Sequence, residues 1–247
     1  MLLEIKSLKK KFANNTVLKG INLSIKAGEV VVIIGPSGSG KTTLLRNINF
    51  LEQADSGTMV FKDKQLNLAN LSNEEILWVR RHTAMVFQNY NLFKNKTAIE
   101  NISEGLIFGQ NRSKKDALQL AKKALDSVGL LDKQDFYPAQ LSGGQQQRIG
   151  IVRATVLNPD IVLFDEPTSA LDPELVGTVL YDMKQLADQG QTMIVVTHQM
   201  SFARNVASRV VFFADGEIIE TGTPSEVFDH PKNKRTKQFL SAIAEDY

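Results

Sequence analysis

The residues best suited to chemistry are Gly35-Pro36-Ser37-Gly38-Ser39-Gly40-Lys41-Thr42, which place a lysine and a hydroxyl behind a glycine-rich turn in the pattern G-x-x-x-x-G-K-[ST]. Gly38 and Gly40 let the chain curl until successive backbone N–H groups point inward, making an anion-sized nest. A helix behind it adds its positive dipole end. Lys41 reaches the terminal phosphates of a polyphosphate as a point charge, and the Thr42 hydroxyl is placed to ligate Mg²⁺. Such a pattern arises by accident in on the order of one chain in a hundred of this length. The ligand implied is a nucleotide.

Four other groups add to this chemistry. Ile161-Val162-Leu163-Phe164 reads as a buried parallel strand that delivers Asp165 and Glu166 at its C-terminal end, where open α/β sheets bind ligands. Asp165 suits the Mg²⁺ hydration shell, and Glu166 points differently in the pleat and can polarise an attacking water. Gln88 ends a strand and has a carbonyl for Mg²⁺ and an amide to orient water; read alone, it is a surface residue. His198 ends another strand and suits a γ-phosphate contact. Ser142-Gly143-Gly144 opens a helix with a hydroxyl, two uncovered amides and a dipole, a second anion site about a hundred residues after the first. Two such sites imply two ligands, or one ligand shared between two molecules. Phe12 either caps the core or stacks on a base.

The positioning elements follow from periodicity. Leu3–Leu8 alternates like an edge strand, Val17–Ile25 alternates more clearly, and Val30–Ile34 is continuously apolar. A helix is expected from near Thr43, a strand at Thr58–Phe61, and a short helix through Trp78 opened by the capping box Ser72-Asn73-Glu74-Glu75. Thr83–Phe87 reads as a strand ending at Gln88. Strand signals then disappear until Leu157. Thr97-x-x-Glu100 caps one helix, and another starts at Ser113, with Ala117, Leu120, Ala121, Ala124, Leu125 and Val128 on one face and Gly129 as its stop. Ile149, Val152 and Val156 face inward from the helix after Ser142, which Asn158-Pro159 ends. Asp172-Pro173-Glu174 starts a helix by the N-cap and proline rule. Thr192–Thr197 is a buried strand, Val210–Glu220 a hairpin turning at Asp215-Gly216, Thr223–Glu226 a capping box, and a polar helix closes the chain near 236–244. Residues 1–88 and 158–247 form the core by this reading, and 89–157 form an inserted helical lobe.

At 247 residues the chain is long enough for one large α/β domain, or a core with an inserted lobe. It has no cysteine, which excludes disulfides and cysteine-based metal sites. A balance of 29 basic and 27 acidic residues gives no electrostatic case for nucleic acid. The clusters at Lys9-Lys10-Lys11 and around Lys232–Lys237 read as solvated faces. Neither an export signal nor a membrane span is expected.

Taken in order, Gly35–Thr42, Gln88, Leu141-Ser-Gly-Gly-Gln145, Ile161–Glu166, Ser169-Ala-Leu-Asp172 and His198 resemble the ATPase subunit of ABC transporters across essentially the whole chain. The resemblance implies an α/β fold: a P-loop NTPase (RecA-like) core with an antiparallel β subdomain and an inserted helical lobe carrying the signature Leu141–Gln145. It implies Mg²⁺ and ATP, and a homodimer in which the signature of one subunit closes over the ATP on the P-loop of the other. Phe12 then stacks on adenine, Lys41 holds the β/γ-phosphates and Thr43 lies near the α-phosphate. Thr42, Gln88 and Asp165 serve the metal, Glu166 is the general base, and His198 steadies the γ-phosphate. Ser142, Gly143, Gly144 and Gln145 act in trans, and Asp172 belongs to the loop crossing the dimer axis. Gly35, Pro36, Ser37, Gly38, Ser39 and Gly40 line the phosphates.

Gln88–Phe93, Tyr137–Arg148, Gly222–Pro231 and Arg235–Leu240 resemble, more narrowly, the polar amino acid uptake branch. The partners implied are transmembrane permease subunits and, indirectly, an extracytoplasmic substrate-binding protein. The location implied is peripheral, on the cytoplasmic side of the cell membrane. Lys94-Asn95-Lys96 departs from that branch, which has Pro-His and an apolar residue there, on the expected coupling surface of residues 88–100. Nucleic-acid or ribosome roles fit poorly, since no heptad-rich insertion or second cassette is present.

Overall fold

The computed structural model describes residues 1–245. Its strands are β1 (Leu3–Phe12), β2 (Asn15–Ile25), β3 (Val30–Ile34), β4 (Ser56–Phe61), β5 (Lys64–Asn67), β6 (Thr83–Val86), β7 (Ile161–Asp165), β8 (Met193–Val196), β9 (Arg209–Ala214) and β10 (Glu217–Gly222). Its α-helices are α1 (Lys41–Ile48), α2 (Asn73–His82), α3 (Ala98–Glu104), α4 (Lys114–Ser127), α5 (Gly143–Thr155), α6 (Pro173–Asp188), α7 (Met200–Val206), α8 (Pro224–Phe228) and α9 (Lys234–Glu245). The chain forms two compact units, one drawn from residues before Arg81 and from Gly190 onward, the other spanning Arg81–Gln189.

In the first unit an antiparallel sheet runs β2-β1-β4-β5. The expected edge strand at Leu3–Leu8 is therefore an interior one: β1 pairs with both β2 and β4 and continues to Phe12. Alternation reports that one face is buried and says nothing about whether both edges are paired. The same unit holds the strand run β10-β9-β3-β8, with β3 parallel to both β8 and β9. All five residues of β3 are buried, as the continuous apolar run predicts for a strand covered on both faces. Left-handed Asp215 and Gly216 close the β9–β10 hairpin.

The second unit pairs β6 and β7 in parallel and is otherwise helical. Ala121 and Leu125 of α4 pack with Ile99, Ile102, Leu141 and Ile149 in one apolar cluster, the stripe that the 3.6-residue period marks out. Thr97 and Glu100 form the expected capping box, Ser113 caps α4, and Gly129 is left-handed just beyond it. A π-helical turn at Gly105–Gly109 was not expected from the sequence. In the first unit α2 runs past Trp78, its Ser72–Glu75 box in place.

Candidate active site

The P-loop leaves the buried end of β3. A Cβ on Gly35 would stand 1.9 Å from the Phe213 carbonyl oxygen, so only glycine fits there. Gly40, at φ 106°, is the N-cap of α1 and supplies no side-chain capping bond. Lys41 begins the helix, 4% exposed. Its Nζ donates to the Gly35 and Pro36 carbonyls at 2.9 and 2.8 Å, which holds the ammonium over its own loop. The Ser39 hydroxyl is buried with no hydrogen-bond partner. An orphaned hydroxyl costs about 1–3 kcal/mol, which a phosphate oxygen would recover, so the loop fits the anion that its pattern implies.

Thr42 and Thr43 lie half-buried in the first turn of α1. Ile33 of β3 pairs with Val196 of β8, so His198, two residues on and half-buried, leaves the same edge as the P-loop. Phe12, the last residue of β1, is 45% exposed, which rules out a core-capping role. Lys10 Nζ lies 5.0 Å from its ring centroid.

In the second unit Asp165 is buried at the end of β7. Glu166 follows at φ +46°, a left-handed backbone that costs a non-glycine residue roughly 1–2 kcal/mol. Its carbonyl accepts from the Ser169 backbone N–H (3.2 Å) and hydroxyl (2.9 Å). Val86 pairs with Phe164, so Gln88 and Glu166 stand equally far past one end of β6–β7. Gln88 is exposed and Glu166 half-buried. Asp165 offers a buried carboxylate at this strand end, a hard oxygen donor. Such a donor suits Mg²⁺, which takes one or two carboxylates and completes its shell from phosphates and water.

Ser142 caps α5 in a full box: its Oγ accepts from Gln145 N–H (3.3 Å), and Gln145 Oε1 accepts from Ser142 N–H (3.0 Å). Gly144 faces Leu175 of α6. Arg148 grips Asp182 through Nε (2.7 Å) and Nη2 (3.3 Å), joining α5 to α6. Asp172 occupies the N-cap of α6 as expected, but its side chain makes no capping bond. Proline at the next position already presets the turn, so the helix starts without that bond.

A family model for ABC transporters matches residues 18–169. The chain belongs to the ABC transporter family. Over 246 residues this ABC chain is 54% identical to the L-cystine import ATP-binding protein TcyN of Bacillus subtilis, covering 100% of this chain and 95% of that protein. It is 48% identical over 242 residues to the arginine transport ATP-binding protein ArtM of the same organism, at 98% and 100% coverage. A bacterial ABC transporter cassette solved as a dimer superposes with a TM-score of 0.81 at 35% identity, covering 90% of this chain and 98% of that one. The P-loop NTPase fold is thereby shown, and the ABC chain is an ATPase.

Three polar side chains escaped the sequence reading: Gln147 and Asn101, which are buried, and Arg153, which is half-buried. Gln147 has no exposure and donates to the Phe87 carbonyl (3.3 Å). Its spacing from Gly144 and Ile151, both buried, was the available signal, hidden in a run of three glutamines. Arg153 bonds to the Tyr90 and Asn91 carbonyls, more than 60 residues away, while Asn101 folds back on the carbonyls of Phe93, Lys96 and Thr97, and no residue pattern announces either.

Proposed function

We propose that this ABC chain energises uptake of a polar amino acid, working with a second identical cassette on separate transmembrane permease subunits. ATP lies in the Gly35–Thr42 nest, with Lys41 turned from the Gly35 and Pro36 carbonyls to the β/γ-phosphates and Thr43 beside the α-phosphate. Phe12 stacks on adenine. Thr42, Gln88 and Asp165 would hold Mg²⁺, which supplies charge neutralisation of the phosphates. Glu166 takes the proton from the water that attacks the γ-phosphorus in line, as the bond to the β–γ bridging oxygen breaks and ADP leaves with its electron pair, and His198 steadies the γ-phosphate. Ser142, Gly143, Gly144 and Gln145 of one subunit close over the nucleotide of the other, with Asp172 in the loop at the dimer axis. Residues 89–157 are the lobe that carries the signature, and 1–88 with 158–247 the core.

The observation that carries this reading is Glu166, held in a strained backbone directly after a buried aspartate at a strand end. Relatives named for cystine, arginine and octopine match at 45 to 54% identity, which supports amino acids as the solute class. Among the described residues no helix is long and apolar enough to cross a membrane, in keeping with a peripheral subunit on the cytoplasmic side. A substrate-binding protein would deliver the solute from outside, and no nucleic acid is involved. Glu166→Gln should keep ATP binding and lower turnover by at least about 100-fold, the scale of losing a general base; unchanged turnover overturns Glu166 as the base. Affinity purification from detergent-solubilised membranes should recover a multi-span permease in near-stoichiometric amount. Recovery only with ribosomal proteins or nucleic acid overturns the transport role.

A further inference from the structure

Tyr90 lies two residues past Gln88, in a segment tied down at three points within the second unit. The Phe87 carbonyl accepts from the buried Gln147 amide. The Tyr90 and Asn91 carbonyls accept from Arg153 Nη2 (3.3 Å) and Nη1 (2.7 Å). Asn101 brackets Phe93, its Oδ1 accepting from the Phe93 N–H (2.7 Å) and its Nδ2 donating to the Phe93 carbonyl (3.1 Å). Tyr90 and Asn91 are both left-handed, at φ 58° and 49°, a pairing that ordinary loops avoid.

This backbone delivers the phenol to two places at once. Its hydroxyl donates to the Ala170 carbonyl (3.0 Å), in the turn that runs to Asp172. The same oxygen lies 2.6 Å from where a Cβ on Gly143 would stand, so α5 begins directly against it. Burial, and then the Asp172 carboxylate, push the phenol above its ordinary pKa, so it stays a donor at neutral pH.

We infer that Tyr90 is a positioning residue for hydrolysis: its phenol holds the 169–172 turn in register with the signature end of α5 and ties both to the segment carrying Gln88. The inference rests on the proposed roles of Gln88, Ser142–Gln145 and Asp172. The glycine at 143 leaves room for the phenol oxygen, and the strap of Gln147, Arg153 and Asn101 keeps the phenol from swinging away. A shift of residues 88–93 is passed on as a shift of the Ala170 carbonyl, because no slack lies between them.

Tyr90→Phe removes one oxygen and keeps the ring. Losing one hydrogen bond in the reacting arrangement should lower kcat for ATP about tenfold, with KM for ATP within about twofold. The melting temperature should move by no more than about 3 °C. An unchanged kcat overturns the inference. So does a fall in kcat matched by a large loss of melting temperature, which would make Tyr90 a stability residue. Normal turnover by Glu166→Gln alone would instead strike the proposed site, separating the two failures.

Discussion

The helix starts at Gly40 and Ser142, which the proposed function assigns to one nucleotide, differ in what their own side chains do. At the start of α1 no side chain caps the amides, the Ser39 hydroxyl is orphaned, and Lys41 bends back over the loop. At the start of α5 the box between Ser142 and Gln145 already occupies two amides and does not use those of Gly143 and Gly144. The first end is prepared for an anion before one arrives, while the second is self-satisfied and gains less from binding one. On the proposed function this difference predicts an order, with nucleotide settling on the P-loop first and the signature joining when a second subunit brings phosphate to it.

Lys41→Ala is the most severe way to break this contrast. Losing a charge-assisted contact to two phosphates should weaken ATP binding to the monomer by about 100-fold, read by nucleotide titration. Ser142→Arg should instead leave monomer binding within about twofold while abolishing ATP-dependent dimers on size exclusion, because bulk at a helix N-terminus blocks approach of the partner. If that variant dimerises normally with ATP, the two ends do not share a ligand.

Asp182→Asn strikes the anchor of α5 rather than its tip. Asp182 is nearly buried and Arg148 is 22% exposed at its side chain, so the loss should lie below the range for a fully buried pair, about 2 kcal/mol in chemical denaturation. Ser142→Ala removes only the box and should cost about 1 kcal/mol.

The smallest effect is one of pH. Backbone and then side-chain hydrogen bonds from Ser72, Thr97 and Thr223 hold the Glu75, Glu100 and Glu226 carboxyls below the ordinary carboxylate value of 4.5. A depressed folded-state pKa contributes stability above the unfolded value, and that stability is lost as pH falls through the folded value. The three boxes are solvent-exposed, so thermal melts should show a shallow decline only below about pH 4.5. Glu100→Gln should flatten part of it. A melting temperature that falls instead on the alkaline side would contradict these shifts.

Much of this was legible in the chain. The strand at Val30–Ile34, the capping boxes at Thr97 and Thr223, the stripe on α4 and the Asp215-Gly216 hairpin rest on local rules that act within a few residues. Illegible in advance were features that no local pattern encodes. The pairing of β1 on both edges, the return of Lys41 onto carbonyls five and six residues back, and the exposure of Phe12 depend on which backbone lies alongside.

The sequence by itself determined the chemistry on offer: a glycine loop with Lys41 and Thr42, two carboxylates after an apolar strand, and a second glycine-opened helix. Residue types at fixed spacing suffice for that, because strands and helices place such groups by their own geometry. Only the tertiary structure decided that Tyr90 should lie between Ala170 and Gly143. It also decided that Arg153 and Gln147 should hold the segment behind it. Those contacts span up to 80 residues, and long-range hydrogen bonds leave no period in the sequence from which to read them.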